Sequence, residues 1–365
     1  MERPIRIGVC FGGYCPLHQG HLDLIMRAKK ENDFCHVFVC GYDEEQRAKE
    51  MGITLKEKFD IIRRMFLGDE QIRTHVINDS EHGLDQSQSP ENWKKYVEII
   101  HSEIGVPNAY LGMEMPKVTW YVAEESYYNE LKNLHEDAIL ASKIKPVSGT
   151  LIRQNPIKYW DYIAQPFRGF FSKNILVTGT ASEGKSTLVK DIATYFGMPY
   201  CEEFGRTYMA KRNMVDTDLT AYDFQNFLLG QRDDIIDKSF SRENRGMMIS
   251  DTDNLVTLMY AKAYSEDDNI NVSCDDYQML KSMATNFQKD IKWDKIFLLP
   301  PKNDFIDDGT RYMAQSTMEE REKNYQILVG LLKEFGLWDK VEMLSGDFYT
   351  NFLRIKTYAA VKLNL

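Results

Sequence analysis

Short apolar runs alternate with amphipathic stretches along the whole chain, in two series. In the first series the runs are Ile5–Phe11, His36–Gly41, Ile72–Ile77 and Ala109–Leu111, each strand-sized and flanked by glycine or charge. Between them, His21–Asn32 carries Leu22, Ile25, Met26 and Lys29 at helical spacing, and Thr54–Leu67 carries Leu55, Phe59, Ile62 and Phe66. Thr54 followed by Glu57 has the pattern of a capping box. The second series opens at Ile175. Its strand signals are Ile175–Thr178, Pro199–Glu203, Met247–Asp251 and Lys295–Leu299. Its helices run from Gly184, over Asp218–Phe240, Asp276–Phe287 and Met318–Phe335, with a last one near the end. Alternation of this kind predicts the α/β class, with parallel sheets covered by helices and ligands beyond the carboxyl ends of the strands.

The segment Gln154–Asn174 interrupts both series. It holds Pro156, Pro166 and Gly169 among six aromatic residues, Tyr159, Trp160, Tyr162, Phe167, Phe170 and Phe171. A flexible linker would be polar, so this connector is expected to pack against both domains and fix their relative orientation. A chain of 365 residues suits two domains, here divided as 1–168 and 169–365.

Composition narrows the function classes only a little. Hydrophobic content of 43% and aromatic content of 12% are those of an ordinary globular protein. A formal charge of −10 leaves no broad basic face for nucleic acid, although a nucleotide needs only a few local donors. The six cysteines form no C-x-x-C pair, and four of them read as small core hydrophobes. The first residues lead straight into a strand and no run approaches the ~20 apolar residues of a membrane span. The expectation is a cytoplasmic protein without stable membrane association. Homo-oligomerisation is left open.

Two loops carry the chemistry. The first, Gly12-Gly13-Tyr14-Cys15-Pro16-Leu17-His18-Gln19-Gly20-His21, follows the first strand. His18 and His21 are three apart with Gly20 between them, a spacing that lets both imidazoles face one point above a helix N-terminus and bind phosphate oxygens. Gly12 and Gly13 let backbone approach the phosphate. Such a pair can also bind zinc, but no third ligand cluster is evident. The second loop, Gly179-Thr180-Ala181-Ser182-Glu183-Gly184-Lys185-Ser186, is a complete G-x-x-x-x-G-K-S between a strand and a helix. Lys185 is expected on the β/γ-phosphates and the Ser186 hydroxyl on Mg²⁺, with Gly179, Glu183, Gly184 and Thr187 also around the nucleotide. Asp251 ends an apolar strand where it can hold Mg²⁺ through water, and Asp253 follows as a substrate contact. Glu203 is placed to take a hydroxyl proton and Arg206 to grip substrate, the alternative being salt bridges at strand ends. Asp307-Asp308-Gly309-Thr310-Arg311, ahead of Arg321, fits a lid that brings Arg311 to the nucleotide, or else an ordinary solvated loop.

The first loop resembles the H-x-G-H signature of the nucleotidyltransferase superfamily, and Val147-Ser148-Gly149-Thr150-Leu151-Ile152-Arg153 resembles its I-S-x-T-x-x-R signature. That resemblance implies that Ser148 and Thr150 start a helix whose N–H groups hold ATP phosphates, with Arg153 on the same anion. It implies in-line attack by a mononucleotide phosphate on the α-phosphorus of ATP, with His18 and His21 stabilising phosphate and Mg²⁺ sharing the charge. Adding the connector, the second loop, Glu203-Phe204-Gly205-Arg206, Asp251-Thr252-Asp253 and Asp307-Asp308-Gly309, the chain resembles NadR-type bifunctional proteins.

The implied fold is a Rossmann-like nucleotidyltransferase domain followed by a P-loop kinase domain, both with parallel sheets. The implied activities are phosphorylation of nicotinamide riboside by ATP, then adenylyl transfer from ATP to nicotinamide mononucleotide to give NAD. Trp93 is then the candidate stacking surface for the pyridinium ring, or a core residue. Some relatives carry an N-terminal helix-turn-helix domain; a first strand at Ile5 leaves no room for it, so nucleic-acid binding is not expected. Ser142-Lys143-Ile144-Lys145 stands where an Asp-x-x-Arg-like element is expected, which predicts a weaker mononucleotide contact. Two other readings remain: a coenzyme A synthase-like adenylyltransferase/kinase and a non-catalytic NAD sensor. Trp93, the connector and Glu203–Arg206 favour the nicotinamide reading over the first.

Overall fold

The run Arg6–Gly12 becomes β1, the central strand of the first unit, because Val9 and Cys10 are fully buried between helices on its two faces. A computed structural model describes residues 3–42, 44–85, 89–105, 116–142, 146–267, 270–306 and 316–363. It divides into the units Met1–Phe170 and Phe171–Leu365. After β1 the first unit continues with α1 (Gln19–Glu31), β2 (Phe34–Gly41), α2 (Gln46–Met51), α3 (Leu55–Met65), β3 (Ile72–Asn78) and α4 (Pro90–Glu103). Then come β4 (Lys117–Val122), α5 (Glu125–Asn133), β5 (Ala138–Leu140), α6 (Gly149–Gln154) and α7 (Gln165–Arg168).

The strands form one parallel sheet in the order β3-β2-β1-β4-β5. The order reverses at β1, so the loop after β1 lies at the crevice where such sheets bind ligands. The Thr54–Glu57 capping box is present, with Glu57 N–H 3.2 Å from Thr54 Oγ1 and Thr54 N–H 2.8 Å from Glu57 Oε2. The strand expected at Ala109–Leu111 lies outside the described residues. The fourth strand is Lys117–Val122, in which Trp120, Tyr121 and Val122 are all buried. Burial on both faces leaves a continuous apolar run instead of alternation, which hides such a strand in the sequence.

The second unit begins with β6 (Lys173–Gly179), α8 (Lys185–Phe196), β7 (Tyr200–Cys201), α9 (Phe204–Arg212), α10 (Ala221–Phe240) and β8 (Met247–Asp251). It ends with α11 (Asn254–Tyr264), α12 (Cys274–Phe287), β9 (Lys295–Leu299), α13 (Met318–Glu334), β10 (Val341–Met343) and α14 (Phe348–Leu363). Its sheet is again parallel, in the order β10-β9-β6-β8-β7. Along β6 the side chains alternate as a two-sided strand requires. Ile175 and Val177 join the core under α8 and α14, and Leu176 joins the core formed with α10 to α13. Among the described residues no helix is long and apolar enough to cross a membrane.

Candidate active sites of the two units

In the first unit the loop after β1 delivers His18 to the N-cap of α1. Its Nδ1 accepts the Gly20 N–H at 3.1 Å, so a neutral ring carries its proton on Nε2. His21 stacks on it with centroids 3.7 Å apart, and Tyr14 closes the far side edge-on at 5.0 Å. Burial, and then the neighbouring His18, hold the His21 imidazole well below the usual histidine range. The His21 ring therefore favours its neutral form at the start of the helix.

The second signature docks on the first. Ser148 caps α6 by accepting the Leu151 N–H at 3.2 Å. A Cβ at Gly149 would lie 2.7 Å from the Cys15 carbonyl oxygen, so this close approach needs glycine. Arg153 donates from Nη1 to Cys15 O at 2.5 Å and from Nε to Glu50 at 3.1 Å, while its Nη2 lies 3.5 Å from Thr150 Oγ1. The guanidinium thus ties the two loops together, where the resemblance implied a contact with the anion itself.

Beside Gly12 and Gly13 lies a cavity of about 640 Å³ with an aromatic wall. Trp93 meets Phe11 edge-on at 5.9 Å and Tyr127 at 5.0 Å, and Phe11 stacks on Tyr127 at 5.8 Å. Trp93 is 6% exposed, so it is both a core residue and part of this wall. Asp79 faces the same cavity and accepts a hydrogen bond from the Tyr96 hydroxyl. Sequence reasoning missed two cations here. Arg47 lines the cavity next to Gly13 and pairs with Glu45. Lys58 is fully buried and donates to Gly13 O at 2.6 Å and Cys40 O at 3.4 Å, with Glu45 3.5 Å away. The Thr54–Glu57 box was the available signal: it fixes the first turn of α3, on which Lys58 sits.

In the second unit β6 ends at Gly179, whose φ of +147° and contact with the Leu299 carbonyl exclude a side chain. The loop wraps back so that Lys185 Nζ lies 2.6 Å from Thr180 O at the start of α8. The Ser186 side chain lies beside Asp251 at the end of the sheet and favours the charged form of that carboxyl. Burial pushes the Asp251 carboxyl up, Lys185 pulls it back and Glu203 opposes that. Asp251 Oδ1 is buried without a hydrogen-bond partner. A hydroxyl next to such an orphaned carboxylate oxygen is a hard-oxygen donor set, and it fits Mg²⁺.

A cavity of about 900 Å³ opens from Lys185, with Glu203, Arg206, Asp216, Phe224 and Tyr260 among its walls. Glu203 and Arg206 are paired at 3.1 Å on its rim, so the salt bridge and the cavity-lining role coincide. Tyr264 donates to Asp216 at 2.9 Å inside it, a pair that sequence reasoning did not find.

Two expected site residues sit elsewhere. Glu183 turns away from the loop mouth. It pairs with Arg321 of α13 and accepts from the Lys302 N–H at 3.0 Å and Asn303 Nδ2 at 2.9 Å. Asp253 is 1% exposed, caps α11 by accepting the Leu255 N–H at 3.0 Å, and is pushed up to about 6 by burial. Glu183 is thus held by two side chains and a backbone N–H, whereas Asp253 keeps one buried oxygen, Oδ2, without a hydrogen-bond partner. Thr187 is exposed on α8. Arg311 and Asp307–Gly309 lie outside the described residues. Arg321, expected near a lid, is a buried brace that also donates to Asn303 O at 2.7 Å and Ala181 O at 2.9 Å.

That brace makes a stability prediction. Arg321→Met leaves the Glu183 carboxylate buried without its cation, and breaking a buried pair costs about 3–5 kcal/mol. Urea unfolding of the variant is expected to show a loss in that range. A loss below about 1 kcal/mol, the level of an exposed pair, would show that the brace is not structural.

Two parallel sheets, each with its own phosphate loop and its own cavity, define a nucleotidyltransferase-type unit joined to a P-loop unit. Residues 9–155 match the cytidylyltransferase-like family model and residues 174–349 the AAA domain model. The trifunctional NAD biosynthesis/regulator protein NadR of Salmonella typhimurium is 28% identical over 97% of this chain and 82% of its own length. The NadR of Escherichia coli is 26% identical over 95% and 81%. Among solved structures, NadR protein in complex with NR superposes with a TM-score of 0.76 at 28% identity, covering 99% of this chain and 97% of that one. NadR protein in complex with NAD and AMP-PNP gives 0.73 over the same shares at the same identity. The chain is a homologue of the NadR proteins, similar to them across both of its units.

Proposed function

We propose that the chain is a bifunctional enzyme of NAD salvage. The second unit phosphorylates nicotinamide riboside with ATP, and the first transfers an adenylyl group from a second ATP to the resulting mononucleotide, giving NAD and pyrophosphate. The observation that carries this reading is that each phosphate loop opens on its own aromatic-walled cavity. In the first unit the wall of Trp93, Phe11 and Tyr127 faces Asp79, which suits a flat cationic ring through its quadrupole and through charge. A flexible pantetheine arm has no use for either, which favours the nicotinamide reading over the coenzyme A one.

The chemistry needs no covalent intermediate. In the first unit His18 and His21, with the N–H groups of the first turn of α1, hold phosphate oxygens. Gly12 and Gly13 admit the backbone, and α6 with Ser148 and Thr150 closes the other side. Catalysis is alignment of the mononucleotide phosphate with the α-phosphorus and neutralisation of charge on departing pyrophosphate.

In the second unit Lys185 takes the β/γ-phosphates. Glu203 accepts the proton of the riboside hydroxyl and Arg206 orients the substrate. Ser186 and Asp251 would hold Mg²⁺, which supplies charge neutralisation between the phosphates. Arg311 is retained as a nucleotide contact. The setting proposed is the cytoplasm.

Ser186→Ala is expected to shift the kinase's Mg²⁺ titration to higher concentration, because it deletes one of two oxygen donors. An unchanged titration would remove Ser186 from the metal site. The rival readings are separated by supplying the first unit's substrate directly. With ATP and nicotinamide mononucleotide the protein should release NAD and pyrophosphate. Turnover of phosphopantetheine instead would support the coenzyme A reading, and binding of NAD without turnover would support a sensor.

A further inference from the structure

The segment after the second signature returns to the first. His18 and Ile163 form an isolated antiparallel bridge. Beside it the Ala164 N–H donates to Leu17 O at 3.1 Å, and Gln19 Nε2 donates to Asp161 O at 3.0 Å. Three consecutive residues, Leu17 to Gln19, are therefore gripped by the span Asp161–Ala164. That span is itself anchored, since Trp160, Ile163 and Phe167 are each no more than 1% exposed. The connector is a buried clamp on this unit, where a linker would have been solvated.

What it grips is the turn that aims an imidazole. His18 is extended, with φ −142° and ψ 170°, and its Nδ1 is held by the Gly20 N–H. With Nδ1 accepting that bond, a neutral ring carries its donor proton on Nε2. The main-chain bond from the Ala164 N–H to Leu17 O on one side of His18, and the Gln19 side chain on the other, hold the backbone from which that donor points. Within the loop the Gly20 N–H and the stacked His21 hold the ring itself, and the strap holds the backbone that carries it.

We propose that Asp161–Ala164 is a positioning strap for adenylyl transfer: by pairing with Leu17–Gln19 it aims the His18 imidazole and the first turn of α1 at the reacting phosphate. The stretch that joins the two activities is then a working part of the first. The strap touches no substrate, so Gln19, Ile163 and Ala164 are positioning residues. The proposal rests on the adenylyltransferase reading of this unit.

Ala164→Pro in the full chain tests it. Ala164 has φ −58° and ψ 134°, and Ile163 has φ −70° and ψ 129°. Proline and the residue before it accept these angles, so the substitution removes the N–H on Leu17 O without backbone strain, while adding ring atoms at a position that is 4% exposed. Ala164→Gly keeps that N–H. The expected result is a fall in kcat for NAD formation of about tenfold in the proline variant, below the ~100-fold cost of a 1 Å misplacement. KM values should stay within about twofold, since the strap acts on alignment and not on uniform binding. The glycine variant should remain close to the parent, and riboside phosphorylation should be unchanged in both.

The ¹⁵N signals of His18 should report an Nε2-protonated ring in the parent and glycine variant and a tautomer mixture in the proline variant. If Ala164→Pro does not fold, Gln19→Leu removes the second tie without altering backbone and is judged by the same readouts. An undiminished kcat in the folded variant, with NAD formed normally by the parent, overturns the strap alone. A parent that forms no NAD from the mononucleotide overturns the adenylyltransferase reading and the strap with it.

Discussion

Lys185→Ala is expected to abolish phosphorylation of nicotinamide riboside while leaving conversion of the mononucleotide to NAD at its original rate. Lys185 stands at the start of α8, with its Nζ 2.6 Å from Thr180 O inside the second phosphate loop. A charged donor aimed at charge that develops in the transition state is worth roughly 10²–10³ in rate. The substitution also removes the cation that offsets the burial of Asp251, so that carboxyl is pushed further toward its neutral form and becomes a poorer metal ligand. Both consequences lie in the second unit. Separate assays of the two half-reactions on one preparation check the expectation. Equal loss of both in a folded variant would contradict separate sites.

The mirror result is expected for His21→Ala: riboside phosphorylation continues, NAD formation stops and the mononucleotide accumulates. Burial and the adjacent His18 keep the His21 ring neutral, so it contributes a hydrogen-bond donor in a dry loop. A hydrogen bond to a charged group contributes about 1.5–3 kcal/mol, which is roughly 10- to 150-fold, and more where it forms fully only in the transition state. Removing the ring also takes away the face on which His18 stacks 3.7 Å away, so the second imidazole loses its orientation too. Kinase activity in the same preparation controls for a folding defect. NAD formation at the parental rate would mean that the imidazole pair does not serve this chemistry and that the unit is a binding module.

What was legible in the sequence was what is local. Both phosphate loops, the Thr54–Glu57 box and most helices and strands are written in spacings of a few residues, and spacing survives folding. Two kinds of feature were not. The strand Lys117–Val122 is buried through its last four residues and shows no alternation. The helix Pro90–Glu103, which carries Trp93, starts from a Ser89 cap, and its proline reads as a breaker until it is seen at the first helical position. Contacts made across the fold were also invisible. Glu183 looked like a nucleotide ligand because it sits in the loop, yet its partner Arg321 is 138 residues away. Asp253 reads as a substrate contact because it follows Asp251, and its second role, as the cap of α11, is seen only in the fold. The strap on His18 spans Leu17–Gln19 and Asp161–Ala164 and needed the folded chain to be seen.

The central claim is that one chain performs two consecutive nucleotide reactions. Incubating the protein with nicotinamide riboside, ATP and Mg²⁺, and following riboside, mononucleotide, NAD and pyrophosphate together, tests it most directly. The account predicts that riboside is consumed, that mononucleotide rises first, and that NAD and pyrophosphate then appear in equal amounts. Riboside left intact, or mononucleotide that accumulates without any NAD when both loops are unaltered, would contradict it.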